Sequence, residues 1–196
     1  MTVHAAVGAP RRLWLVRHAT PLIEPGVCYG ALDVAADAQA TRAAAERLAA
    51  ALPPRACVQS STLQRCEQLA QAVQGLQPDF IIKRDARLSE MNFGRWEGSS
   101  WDAIGPAALQ AWTDDFADHA PGGGESVGAF MQRVGAVFDE TRGALRAGQD
   151  AVWITHAGVI RATTLIAAGI RSIAQAEQWP KAAPSFGDWI VLTLPD

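Results

Sequence analysis

A chain of 196 residues, 49% hydrophobic and 19% charged, can bury one full core and is too apolar to be largely disordered. A formal net charge of −3 gives it no field to attract nucleic acid or an anionic membrane, and neither is expected as a partner. An anionic small molecule would have to be met by a local pocket of arginine and histidine.

A single domain over residues 1–196 is expected, with the Ala- and Gly-rich stretch 1–12 flexible. Arg11-Arg12 precede only four apolar residues, 13–16, too few for an export signal or a membrane span, so a cytoplasmic protein is expected. Apolar runs at 13–16, 56–58, 80–82, 152–155 and 189–194 have the length of buried strands. Helical stripes lie between them. Ala44, Leu48, Ala51 and Leu52 share one face, with Asp37 as N-cap and Pro53-Pro54 as stop. Leu63, Cys66, Ala70 and Val73 make a second stripe, and Val127, Phe130, Val134, Val137, Thr141 and Leu145 a third. A fourth runs from Gly158 towards Gly169. Residues 94–124, with Trp96, Trp101, Trp112, His119 and three consecutive glycines, lack this period and read as an insertion over the sheet's edge and the site it carries. The alternation of strand and helix predicts an α/β sheet covered on both faces. Cys28, Cys57 and Cys66, odd in number and without CxxC spacing, predict free thiols in a reducing compartment.

Ligands of such sheets bind beyond the carboxyl ends of the strands. Here the first run leads into Arg17-His18. The second leads into Ser60-Ser61, with Arg65 in the next helix. The fourth leads into His156, with Ala157-Gly158 opening a helix. Guanidinium forks and helix-start N–H groups such as that of Ala157 suit phosphoryl oxygens. A neutral imidazole among cations can attack phosphorus, and Glu90 is the carboxyl chosen to protonate a leaving oxygen. Each residue taken singly has a plainer role: a structural histidine, a surface arginine, a solvated glutamate. Only a shared site explains their gathering at one edge.

Five ordered segments carry a resemblance: Leu15-Val-Arg-His-Ala-Thr20, Ser60-Ser-Thr-Leu-Gln-Arg65, Leu88-Ser-Glu90 continuing to Trp96-Glu-Gly98, Gly124-Glu-Ser126 and Thr155-His-Ala-Gly158. They resemble the histidine phosphatase superfamily, the phosphoglycerate mutase-like fold. The resemblance implies a three-layer α/β/α sandwich with a mostly parallel central sheet and a small-molecule phosphate ester as substrate. It implies no metal and no other cofactor. By position His18 would be phosphorylated, Arg17, Arg65 and His156 would hold the phosphoryl oxygens, and Glu90 would serve the leaving oxygen and then the attacking water.

Residues 26–33, Gly-Val-Cys-Tyr-Gly-Ala-Leu-Asp, are most similar to α-ribazole phosphatases, which act on α-ribazole 5′-phosphate or adenosylcobalamin 5′-phosphate in cobalamin assembly. Tyr29, Gly30, Thr20, Trp96 and Glu97 are accordingly candidate substrate contacts, with Glu97 alternatively orienting Arg17. The chain departs from the family pattern at Ala19 and Ala157, where glycine is usual and a methyl would narrow the approach to phosphate. It departs again at Pro21 and Glu24, which offer no phosphate contact and leave Thr20 to substitute. A phosphatase is favoured over three alternatives. A mutase needs more lid to exclude water, a phosphohistidine protein phosphatase needs a shallower site, and an inactive phosphate-binding module would not need the whole residue set.

Overall fold

The computed structural model describes residues 9–194. The apolar run at 13–16 forms the middle of β1 (Arg11–Arg17). Leu13 and Leu15 point into one core and Trp14 and Val16 into another, as the two-residue period of a strand requires. Both faces of this strand are therefore covered. The parallel neighbour of β1 is β4 (Asp150–Thr155), buried at every position; its antiparallel neighbour is β5 (Trp189–Leu194). Beyond β4 lie β2 (Cys57–Ser60) and β3 (Ile82–Arg84), both parallel, giving the order β3-β2-β4-β1-β5.

Among the described residues six α-helices accompany the sheet in chain order. These are α1 (Ala38–Ala51), α2 (Gln64–Leu76), α3 (Trp101–Ile104), α4 (Pro106–Asp114), α5 (Val127–Ala144) and α6 (Ala157–Ala167). Leu48 of α1 and Leu69 of α2 pack with Val58, Val152 and Ile154 on one face. Phe130 and Phe138 of α5 and Ile160 of α6 pack with Leu13, Leu15 and Trp153 on the other. The molecule is thus an α/β/α sandwich with a mostly parallel sheet. Each such fully buried side chain contributes about 1.5–3 kcal/mol by leaving water. Asp37 caps α1 by accepting the Ala40 N–H at 2.7 Å, and Ser126 caps α5 through the Ala129 N–H at 3.2 Å.

Two expectations are corrected. Arg11 and Arg12 belong to β1, and Arg12 is tied to Asp150 by an ion pair of 2.6 Å, so the flexible stretch does not extend through residue 12. Residues 1–8 lie outside the described residues. The stretch 94–124 contains two helices, α3 and α4, hinged at Gly105. They are four and nine residues long and neither buries a residue fully.

The glycine run at 122–124 is no open loop. Pro121–Gly123 is a turn of 3-10 helix lying against a second one, Gly94–Trp96. A Cβ on Gly122 would strike the Phe93 carbonyl, one on Gly124 the Asn92 carbonyl, and one on Gly94 the Gly122 carbonyl. Gly94 and Gly122 also hold positive φ, 55° and 62°. The two turns clasp backbone to backbone. Among the described residues no helix is long and apolar enough to cross a membrane.

Candidate active site

Because β1, β4 and β2 are neighbours, their carboxyl ends fall side by side, with Arg17 opposite Thr155 and Ser60 opposite Ile154. The ladder continues one step past each end. The His18 N–H donates to the Thr155 carbonyl at 3.0 Å, and the Ser61 N–H donates to the Ile154 carbonyl at 2.9 Å. His18, Ser61 and His156 therefore share one rim, with the two imidazole centroids 5.1 Å apart. The helix after β1 packs on one face and the helix after β4 on the other, so the rim is the sheet's switch point, where a crevice opens.

His18 is buried, with only 2% of its surface exposed. Its Nδ1 lies 2.7 Å from the Ala19 carbonyl, which can only accept. Nδ1 therefore carries the proton of the neutral ring, and Nε2 holds a free lone pair. Burial and the charges of Arg65 and Arg17 hold the pKa at about 3, outweighing the carbonyl's opposing pull. The Ala19 side chain packs into the core beneath α1 and α2, so its methyl does not narrow the phosphate approach as expected from sequence.

His156 is fully buried and likewise neutral. Burial and Arg65 push its pKa well below the usual value. Arg65 Nε donates to His156 Nδ1 at 3.3 Å, so Nε2 bears the hydrogen and donates to Ser61 Oγ at 2.8 Å. Ser61 Oγ in turn lies 3.2 Å from Ser89 Oγ. Both nitrogens of His156 are thus engaged by the protein, and it meets a ligand only by exchanging one partner. Arg65 is also fully buried, donating to the Gly30 carbonyl at 2.6 Å and the Leu32 carbonyl at 2.8 Å. Among the described residues neither Arg17 nor Arg65 is ion-paired with a carboxylate. Two desolvated cations without a counter-charge beside a free imidazole lone pair form a seat for a tetrahedral oxyanion. Cys66 Sγ approaches His156 Nε2 to 3.4 Å, but burial pushes its thiol pKa far up and keeps it protonated.

Glu90 completes the rim. Its carboxylate accepts the Met91 N–H at 3.0 Å and the Gly158 N–H, in the first turn of α6, at 2.9 Å. A Cβ on Gly158 would occupy the space of the Glu90 carboxylate, so the glycine exists for this approach. Arg133 of α5 holds the segment from below. It donates to the carbonyls of Arg87, Ser89 and Glu90 and pairs with Glu125 at 2.7 Å.

Beside Glu90 and Tyr29 opens a chamber of about 640 Å³. Its walls are Phe93, Trp101, Trp112, Phe116, Phe130 and Trp179, several of them in ring contact, with Arg161 and Lys181 also in the lining. Tyr29 and Gly30, candidate substrate contacts from the sequence, line it. Trp96 does not: it packs edge-on against Trp112 from behind, at 5.9 Å. Among the described residues Glu97 is ion-paired with no arginine. Its Oε1 accepts the N–H groups of Ala31 and Phe93 at 2.9 and 2.8 Å, joining two loops. Thr20 is exposed, and its carbonyl accepts the Asp37 N–H ahead of α1, away from the chamber. Among the described residues no group of three or more His, Cys, Asp or Glu is placed to hold a metal ion.

The buried histidines carry a stability cost in acid. Both have folded-state pKa values below the 6.5 of an exposed ring. The unfolded chain therefore takes up protons that the native state cannot. Stability is full above about pH 6.5 and falls below it, for His18 until the pH nears 3. His18 alone should remove about 2 kcal/mol between pH 7 and pH 5, and His156 acts in the same direction. Urea denaturation at the two pH values measures this, and a variant with His18 replaced by Asn should lose the His18 part of the difference.

With this geometry in place, comparison with known proteins is direct. The model of the histidine phosphatase superfamily (branch 1) matches residues 13–183. The chain belongs to that superfamily. This histidine phosphatase is similar to TTHB049 from Thermus thermophilus, at 31% identity over 92% of each chain with a TM-score of 0.69. It is also similar to a mycobacterial glucosyl-3-phosphoglycerate phosphatase solved with VO3, at 26% identity over 93% of this chain and 92% of that one, with a TM-score of 0.77. A search of curated proteins gave no match.

Sequence reasoning about this histidine phosphatase missed three contributors. Arg133 lies two turns into α5, and nothing in its neighbourhood signals a grip on distant carbonyls. Ser89 reads as ordinary loop. Phe186 lies on the approach to β5, yet its ring sits 3.9 Å from the Arg17 guanidinium carbon and 5.5 Å from the His18 ring.

Proposed function

We propose that the protein hydrolyses phosphate monoesters through a phosphohistidine on His18, with α-ribazole 5′-phosphate, or the adenosylcobalamin 5′-phosphate that contains it, as substrate. The observation carrying the chemistry is the free Nε2 of a neutral, buried His18 beside two cations without counter-charges. The phosphoryl group sits among Arg17, Arg65 and the start of α6. His18 Nε2 forms a bond to phosphorus as the bond to the ester oxygen breaks, and the Glu90 carboxyl gives that oxygen its proton. Water then attacks phosphorus, Glu90 takes up its proton, the N–P bond breaks, and inorganic phosphate leaves. Arg17 and Arg65 oppose the oxygens' charge throughout.

The choice of ester is supported by residues 26–33, which place Tyr29 and Gly30 at the chamber, and by the aromatic walls, which suit a flat apolar base. A second reading has its own observation. Arg161 and Lys181 in the chamber lining suit a leaving group with a carboxylate of its own, as in glucosyl-3-phosphoglycerate. Phosphate release should be compared for α-ribazole 5′-phosphate, glucosyl-3-phosphoglycerate, 3-phosphoglycerate, fructose 2,6-bisphosphate and a phosphohistidine peptide. A kcat/KM at least about tenfold higher for α-ribazole 5′-phosphate is expected. Preference for glucosyl-3-phosphoglycerate, lost in Arg161→Ala, would select the second reading. Activity should also persist in EDTA.

A further inference from the structure

We propose that Phe186 is a positioning residue of the phosphate clamp, fixing the plane in which Arg17 presents its donors. Arg17 has three restraints. Its guanidinium carbon lies over the Phe186 ring at 3.9 Å, its NH1 donates to the Pro184 carbonyl at 3.0 Å, and the Tyr29 hydroxyl lies close by. Its Nε is buried without a partner, a donor left for a ligand.

The segment bearing Phe186 is fastened from both sides. The Gly187 N–H donates to the carbonyls of Arg17 and His18, at 3.2 and 3.0 Å. Arg47 of α1 donates to the Gly187 carbonyl at 3.1 Å and pairs with Asp188 at 2.9 Å. Phe186 is therefore placed by backbone, not by the core. It belongs to neither hydrophobic cluster and remains 37% exposed. A large apolar ring more than a third exposed, outside both buried clusters and, among the described residues, in aromatic or cation–π contact with only His18 and Arg17, contributes little to folding. What it supplies is orientation. An arginine at the end of four rotatable bonds stabilises the charge of a phosphoryl transition state only if it is already aimed.

The inference rests on Arg17 holding phosphate, and the experiment separates the two. Orthovanadate inhibition and kcat/KM on p-nitrophenyl phosphate are measured for Phe186→Ala, Phe186→Leu, Phe186→Tyr, Arg17→Ala and the Arg17→Ala/Phe186→Ala double variant, with a melting temperature for each. Phe186→Ala and Phe186→Leu should each lose about tenfold in both quantities with melting temperature nearly unchanged, while Phe186→Tyr should match the parent. In the Arg17→Ala background, removing Phe186 should cost nothing further. Phe186→Leu equal to Phe186→Tyr, or a full Phe186 effect without Arg17, would overturn the role of Phe186 alone. An Arg17→Ala protein with unaltered vanadate affinity would instead overturn the clamp beneath it.

Discussion

A His18→Ala protein should release no phosphate above background and should carry no acid-labile phosphoryl group after brief exposure to labelled substrate. The expected loss in kcat is about 10⁵-fold or more, because no other group at the rim can replace the nucleophile. Cys66 stays protonated, and both nitrogens of His156 are engaged by Arg65 and Ser61. The fold should survive, since the lost imidazole makes its one side-chain hydrogen bond to the neighbouring carbonyl of Ala19. Inorganic phosphate should still compete for the site, because Arg17 and Arg65 remain. The measurement is a rapid acid quench with separation of protein-bound label. Turnover by the His18→Ala protein would end the phosphohistidine mechanism.

Glu90→Gln should separate the two halves of the chemistry. With an alkyl phosphate the leaving alkoxide needs a proton, and kcat should fall about 10²- to 10⁴-fold. With p-nitrophenyl phosphate the phenolate departs unaided, so the first half-reaction should be much less affected. Loss of a group to take up water's proton should then let phosphohistidine accumulate, visible as a burst of nitrophenol. The amide also disturbs the carboxylate's seat, because Glu90 accepts from two backbone N–H groups. Gly158→Ala supplies an independent check, since its methyl would claim the carboxylate's space while leaving the acid chemically intact. It should reproduce the same dependence on leaving group. Equal losses in kcat/KM, which reads only the first half-reaction, on both substrates in both variants would remove Glu90 as the acid for the leaving oxygen.

The rim was legible because strand ends announce themselves. A buried apolar run followed at once by Arg-His, Ser-Ser or His-Ala-Gly places chemistry at a sheet edge whatever the strand order. The sheet itself was legible to within a residue or two, with β2 and β3 displaced towards the rim from their apolar centres at 56–58 and 80–82. What could not be read were roles set by contacts between distant segments. Glu97 looked like chemistry and joins loops, because a free carboxylate and one accepting two amides have the same spelling. Trp96 looked like a substrate face and stands one layer behind it. Phe186 and Arg133 look ordinary in sequence and gain meaning from partners 169 and 43 to 46 positions away. The helices α3 and α4, four and nine residues long and nowhere fully buried, were too short to stand out as helical stripes.

The clasp between Gly94 and the glycines at 122–124 bears on how this chain tolerates change. Composition would nominate the triple glycine as a linker, the natural place for an inserted tag or a shortened loop. Its geometry makes it a seam. One methyl at Gly122 or Gly124 would push on the backbone of Phe93 or Asn92, three and two residues from Glu90, and Phe93 is part of the aromatic chamber's wall. Damage there would reach the acid and the leaving-group pocket together, from a position that touches neither. The segment with the least side chain is among those with the least freedom to vary.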